Sequence, residues 1–181
     1  MDDATRPDVV ALAQRGDTEA VGTLYDQHYP AILRYFRARL GDWHQAEDLT
    51  GDVFRRMLTG LPQYRPMGLP FRAWLFRIAH NVLIDLYRQE SSRMSVSLRE
   101  TDHQSGSQDD PAAVVEHKLT MEYAHRALAE LDQTQRDVLA LRFLSELSLK
   151  ETALALGKTE DAIKALQRRG LAALRLTLAQ D

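Results

Sequence analysis

The chain contains no cysteine among its 181 residues. That removes a disulfide scaffold, a thiol nucleophile and any cysteine-ligated zinc or iron–sulfur centre. It has no uninterrupted apolar stretch approaching the roughly 20 residues that span a bilayer, and the acidic start MDDATRPD lacks the apolar core of a signal peptide. A cytoplasmic chain with no membrane insertion is expected by default. No excess of one charge exists either: 23 basic and 26 acidic side chains leave a net charge of -3. Any surface for a polyanion must therefore come from local arrangement. No β-rich alternating run occurs, which excludes most sheet folds. His28, His44, His80, His103, His117 and His125 form no HxxxH or HExxH pair, and Gly157-Lys158-Thr159 is too short for a phosphate loop. Glu47 and Asp48 are adjacent and diverge on a helix, poor geometry for acid–base work. No catalytic residue, metal ligand or cofactor is assigned, and an enzyme is not expected.

What remains is helix. At 44% hydrophobic and 27% charged residues the composition is that of a globular protein of one or two domains. A short helix is predicted from Asp8 to Arg15, with Gly16-Asp17 breaking and recapping the chain. Leu24, His28, Ala31 and Tyr35 recur at helical spacing in the next helix, beside Val21, Leu33, Phe36 and Leu40. Pro30 lies inside it and implies either a kink or two shorter pieces. Asp42 is placed to cap a helix reaching Leu58, with Ala46, Leu49, Val53 and Met57 inward. Three prolines and two glycines between Gly60 and Pro70 dictate a loop. A helix then resumes from Phe71 to about Gln89, on Phe71, Leu75, Ile78, Val82 and Leu86.

Composition shifts after residue 90. Six serines, one glycine and several acids between Ser91 and Pro111 read as a flexible linker of about twenty residues, or else as a long surface loop in a single domain. A second block begins near Ala112, its first helix reaching Glu130. Asp132 with Gln135, and more clearly Ser148 with Glu151, have capping-box spacing. Gly157 suits a C-cap and Thr159 an N-cap for a final helix to about Ala179. A helix of about eight residues, a three-residue turn with glycine and a longer helix make a helix-turn-helix pattern, although generic helix pairs share it. Leu149, Ala153, Leu156, Ile163 and Leu166 supply its internal contacts. The expected fold is all-α: two small helical domains, 1–90 and 112–181, joined by the 91–111 linker.

Charge is segregated. The final helix carries Lys164, Arg168 and Arg169, with Lys158 just before it, and Thr159, Glu160 and Asp161 at its start. Free N–H groups there suit a phosphate, and Lys164 and Arg168 share a face, although the basic residues equally fit a solvated face. Between Val53 and Ile84 there is no acid, yet Arg55, Arg56, Arg65, Arg72 and Arg77 occur there. Glu47, Asp48 and Asp52 cluster just upstream. An acid-free stretch with Tyr64, Phe71, Trp74, Phe76, His80 and Asn81 has the elements of a single-strand binder. The spacing of Phe71 and Trp74 favours the core, whereas Tyr64, in the proline-rich loop, is expected to be freer to face a ligand.

Three segments together resemble the bacterial extracytoplasmic-function sigma factors, the compact sigma-70 class of RNA polymerase specificity subunits. They are Ala46-Glu-Asp-Leu-Thr-Gly-Asp-Val-Phe54, Phe71-Arg-Ala-Trp-Leu-Phe-Arg-Ile-Ala-His-Asn81 and Leu147-Ser-Leu-Lys-Glu-Thr-Ala-Leu-Ala-Leu-Gly157 with its following helix. Their order and separation cover nearly the whole chain. The resemblance implies that Glu47, Asp48, Asp52 and Phe54, extended by Arg55 and Arg56, bind core RNA polymerase. It implies that Tyr64, Arg65, Arg72, Arg77, His80, Asn81 and Arg88 hold the opened -10 promoter strand. Lys158, Thr159, Glu160, Lys164, Arg168 and Arg169 would read the -35 duplex. Promoter DNA and bacterial core polymerase are then the expected partners, with an anti-sigma factor a further candidate. The chain departs from the family at His80, where many relatives have arginine, at Lys158, which replaces an apolar turn residue, and at Leu166-Gln167, which replaces an arginine–leucine pair. No added regulatory domain is expected before the first helix or after residue 181. A stand-alone helix-turn-helix regulator and a helical mimic binding polymerase without DNA are the competing readings.

Overall fold

A computed structural model describes residues 7–94, 128–129 and 131–178. Every regular element among them is helical. The first block holds α1 (Pro7–Gln14), α2 (Thr18–Arg39), α3 (Trp43–Gly60), a 3-10 turn (Leu61–Gln63) and α4 (Phe71–Met94). The second holds α5 (Gln133–Leu139), which runs on as one π turn (Ala140–Leu144), then α6 (Leu149–Leu156) and α7 (Glu160–Leu178). The expected all-α architecture of two helical domains is the one observed.

Local sequence sets most helix starts. Asp17 accepts from the Ala20 amide at 3.0 Å, and Asp42 from Gln45 at 3.1 Å. Each satisfies one of the donors left over in a first turn. Asp132 does the same for Gln135 at 2.9 Å. Ser148 and Glu151 form the complete reciprocal box, at 3.1 and 2.8 Å. Gly157 ends α6 at φ +62°, in the left-handed region where glycine carries no Cβ penalty. Thr159 then caps α7 through Ala162 at 3.2 Å.

At two boundaries packing or a side-chain bond decides the outcome. Of the alternatives left open at Pro30, α2 is a single helix rather than two pieces. Leu24, His28, Ala31, Ile32 and Tyr35 are buried on both sides of the proline, and that packing outweighs one missing hydrogen bond. α4 runs to Met94, so Ser91 to Met94 are helical rather than the start of the linker. The Ser92 hydroxyl donates to the Arg88 carbonyl at 2.9 Å, which lets a serine sit inside a helix. The remaining linker, 95–111, and the helix expected from Ala112 lie outside the described residues, except that 128–129 are helical.

One hydrophobic core runs through both blocks. Tyr35, Phe36, Phe76 and Leu83 of the first block belong to the same buried cluster as Leu131, Leu141, Leu147 and Ala155 of the second. α4 packs along α6, and α2 against the π turn. The tethered-reader expectation required no such contact. A smaller cluster of Val138, Ala153 and Ile163, flanked by Leu149, Leu156 and Leu166, holds α5, α6 and α7 together. Those are the contacts the helix-turn-helix pattern called for, with Val138 added.

Candidate nucleic-acid interface

α7 presents its cations on two faces. At about 100° per residue, positions 164, 168 and 175 fall within about 40° of one another, while 169 lies about 100° past 168. Lys164, Arg168 and Arg175 accordingly line one open groove with Arg142 of the π turn. Lys158, Thr159 and Arg169 line a second one with Asp132 and Thr134. The Arg142 guanidinium is held in place: its Nε donates to Gln167 Oε1 at 3.1 Å, and Nη1 donates to the Leu147 carbonyl. Lys164 rests on Asp161 at 3.0 Å, both exposed, so the pair is weak and easily exchanged for another anion. Glu160 is exposed in the first turn. Sequence reasoning found Lys164 and Arg168 but missed Arg142 and Arg175. The spacing of 11 residues between 164 and 175, three helical turns, could have revealed Arg175; Arg142 comes from a different element and left no such signal.

The acidic helix α3 is divided differently. Asp48 is exposed and Glu47 half-buried, 4.0 Å from His44. Asp52 pairs with both Arg55 and Arg56, the latter at 3.4 Å, and Arg56 continues to Asp85 at 3.0 Å. Phe54, grouped with these residues by the sequence, is core: it is 4% exposed and packs on Tyr25, with ring centroids 4.6 Å apart. An aromatic at that position has the inward register of Val53 and Met57, which the motif obscured.

Tyr64 also departs from expectation. It is buried beneath the loop, its ring 4.8 Å from that of Trp74 and 5.7 Å from Phe71. Its hydroxyl donates to the Leu69 carbonyl at 2.7 Å, and burial raises its pKa. Tyr64 ties the proline-rich loop to α4 rather than facing solvent. Phe71 is buried as anticipated. Arg65 is exposed, hydrogen-bonded to the Pro62 and Tyr64 carbonyls at 3.1 and 2.9 Å. Asn81 and Arg88 are exposed on α4.

The remaining α4 candidates are turned toward the second block. Arg72 donates to the Ser145 carbonyl at 2.5 Å, and Arg77 to that of Leu154. His80 Nδ1 lies 3.8 Å from Asp137 Oδ2. Asp137, 3% exposed in α5, also meets Arg39 at 3.1 Å and accepts from the Tyr35 hydroxyl at 3.4 Å. Burial raises the pKa of Asp137, and the Arg39 and His80 charges pull only partly against it. Burial lowers that of His80: Asp137 opposes the shift, and Arg39 and Lys158 add to it. Tyr35, wholly buried, is held well above the usual phenol value and remains a donor. Sequence reasoning placed Tyr35 on the apolar stripe of α2 but singled out neither Arg39 nor Asp137. An acid next to Val138, Leu139, Ala140 and Leu141, and an arginine between Ala38 and Leu40, were the available signals.

The comparisons agree with this architecture. The chain matches the family Sigma-70 region 2 over 24–93 and the family Sigma-70, region 4 over 127–176. It is 35% identical to the ECF RNA polymerase sigma factor BldN of Streptomyces coelicolor, covering 99% of this chain and 68% of that one. Against ShbA of Streptomyces griseus, also an ECF RNA polymerase sigma factor, identity is 33%, covering 95% of this chain and 94% of the relative. The solved structure of CnrH in complex with the cytosolic domain of CnrY superposes with a TM-score of 0.73 at 27% identity, over 99% of both chains. The two helical blocks, one carrying a helix-turn-helix, define a DNA-binding transcription factor. The chain belongs to the extracytoplasmic-function sigma factors of the sigma-70 family. As a sigma factor it is not an enzyme. Among the described residues, no helix is long and apolar enough to cross a membrane.

Proposed function

We propose that this chain binds bacterial core RNA polymerase, recognises the -35 and -10 elements of a promoter and directs initiation there. The observation that carries the reading is the α7 groove. Four cations from two elements line an open channel along the second helix of a helix-turn-helix, a helix whose first turn Thr159 caps. A duplex entering along α7 would meet Lys164, Arg168, Arg142 and Arg175, with Thr159 and Glu160 at the leading turn. Lys158 and Arg169 would reach the backbone on the other side. Asp48 and Glu47 offer the acidic face to polymerase, edged by the Asp52–Arg55–Arg56 pairs. Arg65, Asn81 and Arg88, with Arg72, Arg77 and His80, are the groups of the first block suited to a displaced strand: cations for phosphates, amide and imidazole for base edges. Tyr64 and Phe54 act through packing.

CnrH is described in complex with the cytosolic domain of CnrY, and likeness to it over 99% of both chains supports a protein partner for this factor also, with an anti-sigma factor the candidate. Run-off transcription with purified core polymerase and a genomic promoter library tests the function. Initiation that requires this chain is the expected result. Duplex binding without any core-dependent initiation would instead support a stand-alone regulator.

A further inference from the structure

Gln167 is one of the positions at which the chain departs from its family, and the function proposed above leaves it unused. It is half-buried on α7, about two turns past the Thr159 cap, and lines the same groove as Lys164 and Arg168. At about 100° per residue it sits about 60° from Lys164, on the flank of the cationic face that meets Arg142. The Arg142 Nε donates to Gln167 Oε1 at 3.1 Å. A guanidinium carries only donors, so the carboxamide can face it with its oxygen alone. That settles which end of the amide looks the other way. Nε2, with two N–H donors, makes no hydrogen bond among the described residues and is not buried. We infer that Gln167 is a specificity-determining residue of the duplex reader. Arg142 holds its amide as a donor, and it selects a keto base, guanine or thymine, over an amino base, adenine or cytosine, on the strand it faces. The inference rests on the proposed reading of α7 as the helix that meets the -35 duplex.

An unrestrained glutamine reads adenine with both ends of its amide, accepting from N6 and donating to N7. Holding Oε1 against Arg142 takes the acceptor out of that pairing. What is left suits guanine, whose O6 and N7 both accept, or the O4 of thymine. Against the N6 amino group of adenine or the N4 amino group of cytosine, it sets donor against donor. Facing donors leave both groups unpaired in a contact that excludes water, and that cost discriminates more sharply than the favourable bond. The support behind the amide is fixed at both ends. Arg142 Nη1 donates to the carbonyl of Leu147, a buried residue just before the Ser148 cap of α6. The π turn that carries Arg142 is itself anchored by the buried Ala140 and Leu141. Base reading needs a side chain held in a narrow range of geometry, and a partner on a packed element supplies that better than a loop.

The full-length chain, reconstituted with core polymerase, selects from a duplex promoter pool randomised across the -35 element, and the bound fraction is sequenced. At one position the wild-type chain should favour guanine or thymine over adenine or cytosine by about fivefold or more. Gln167→Glu keeps the bond from Arg142 but presents only acceptors, and should invert that preference toward cytosine and adenine. Gln167→Leu should flatten it and leave the preferences at other positions as they were. Arg142→Met frees the amide and should admit adenine at the same position. Enrichment is compared within each pool, so a general loss of affinity in a variant does not imitate these results. Preferences unchanged at every position in both Gln167 variants, with binding lowered for all sequences alike or not at all, overturn the inference. They would reduce the bond to a structural tie between the π turn and α7 while leaving the -35 reading of α7 in place. A wild-type pool with no positional enrichment at -35 overturns both.

Discussion

Asp137 is hemmed in by Val138, Leu139, Ala140 and Leu141, all buried, so its carboxylate depends on three groups from the other block. The same burial makes His80 the titrating member near neutral pH. It faces Asp137 on α5, Tyr35 and Arg39 on α2, and the Lys158 charge from the turn before α7, and its pKa lies below the usual imidazole value of about 6.5. The unfolded chain, with the ordinary value, binds a proton first as pH falls, and protonation therefore lowers the stability of the folded chain. The raised pKa of Asp137 acts in the opposite sense, but from a carboxylate reference value much further into the acid range. Stability in a urea titration should fall as pH drops from about 7 through the imidazole range, and His80→Gln should flatten that response; a wild-type stability flat over the same range counts against His80. Tyr64→Phe probes a different residue-scale role. Losing the hydroxyl bond to Leu69 should lower stability by about 0.5–1.5 kcal/mol in a urea titration and leave -35 duplex affinity unchanged. Unaltered stability with impaired strand opening would return Tyr64 to the DNA.

At the scale of elements, local chemistry was legible and its extent was not. The caps at Asp17, Asp42, Ser148 and Thr159 and the glycine at 157 were all readable, because each signal is complete within three or four residues. The continuity of α2 across Pro30 and the extra turn of α4 were not, since packing and a side-chain bond to Arg88 decide them. Gly157→Ala tests the turn directly: no atom lies within 4 Å of the added Cβ, so the cost is backbone strain alone, about 1–2 kcal/mol. Thermal unfolding should register it, and a neutral result would mean that the turn can relax out of the left-handed region. The two faces of α7 also make separable claims. Lys164→Ala and Arg168→Ala empty one groove and should each cost about 1–3 kcal/mol if they touch base edges. Arg169→Ala, on the other face, should weaken all duplexes alike and reduce the salt slope. Footprinting and salt titration on one promoter distinguish these outcomes; equal, sequence-independent losses at all three positions would mean that none of them reads bases.

For the whole molecule, segregated charge was visible in the sequence, but the joining of the blocks was not. Its partners are far apart along the chain: Tyr35 and Asp137 are separated by 102 residues, Arg34 and Leu144 by 110. Periodicity shows that a face is apolar without showing which other face covers it. The arginines of α4 illustrate the consequence, since an acid-free run suits nucleic acid and backbone carbonyls equally well. The outer surface of α3 escapes that ambiguity, and it carries the last prediction. Asp52 is a poor probe, because reversing it also strands Arg55 and Arg56. Asp48 is exposed on α3, a helix packed on α2 and α4 rather than on the second block. Asp48→Lys should therefore leave folding and duplex binding as they were. Core polymerase affinity should drop at least about tenfold, equivalent to about 1.4 kcal/mol, with a weaker effect as salt screens the contact. An unchanged affinity at low salt would move the polymerase contact off this face of α3.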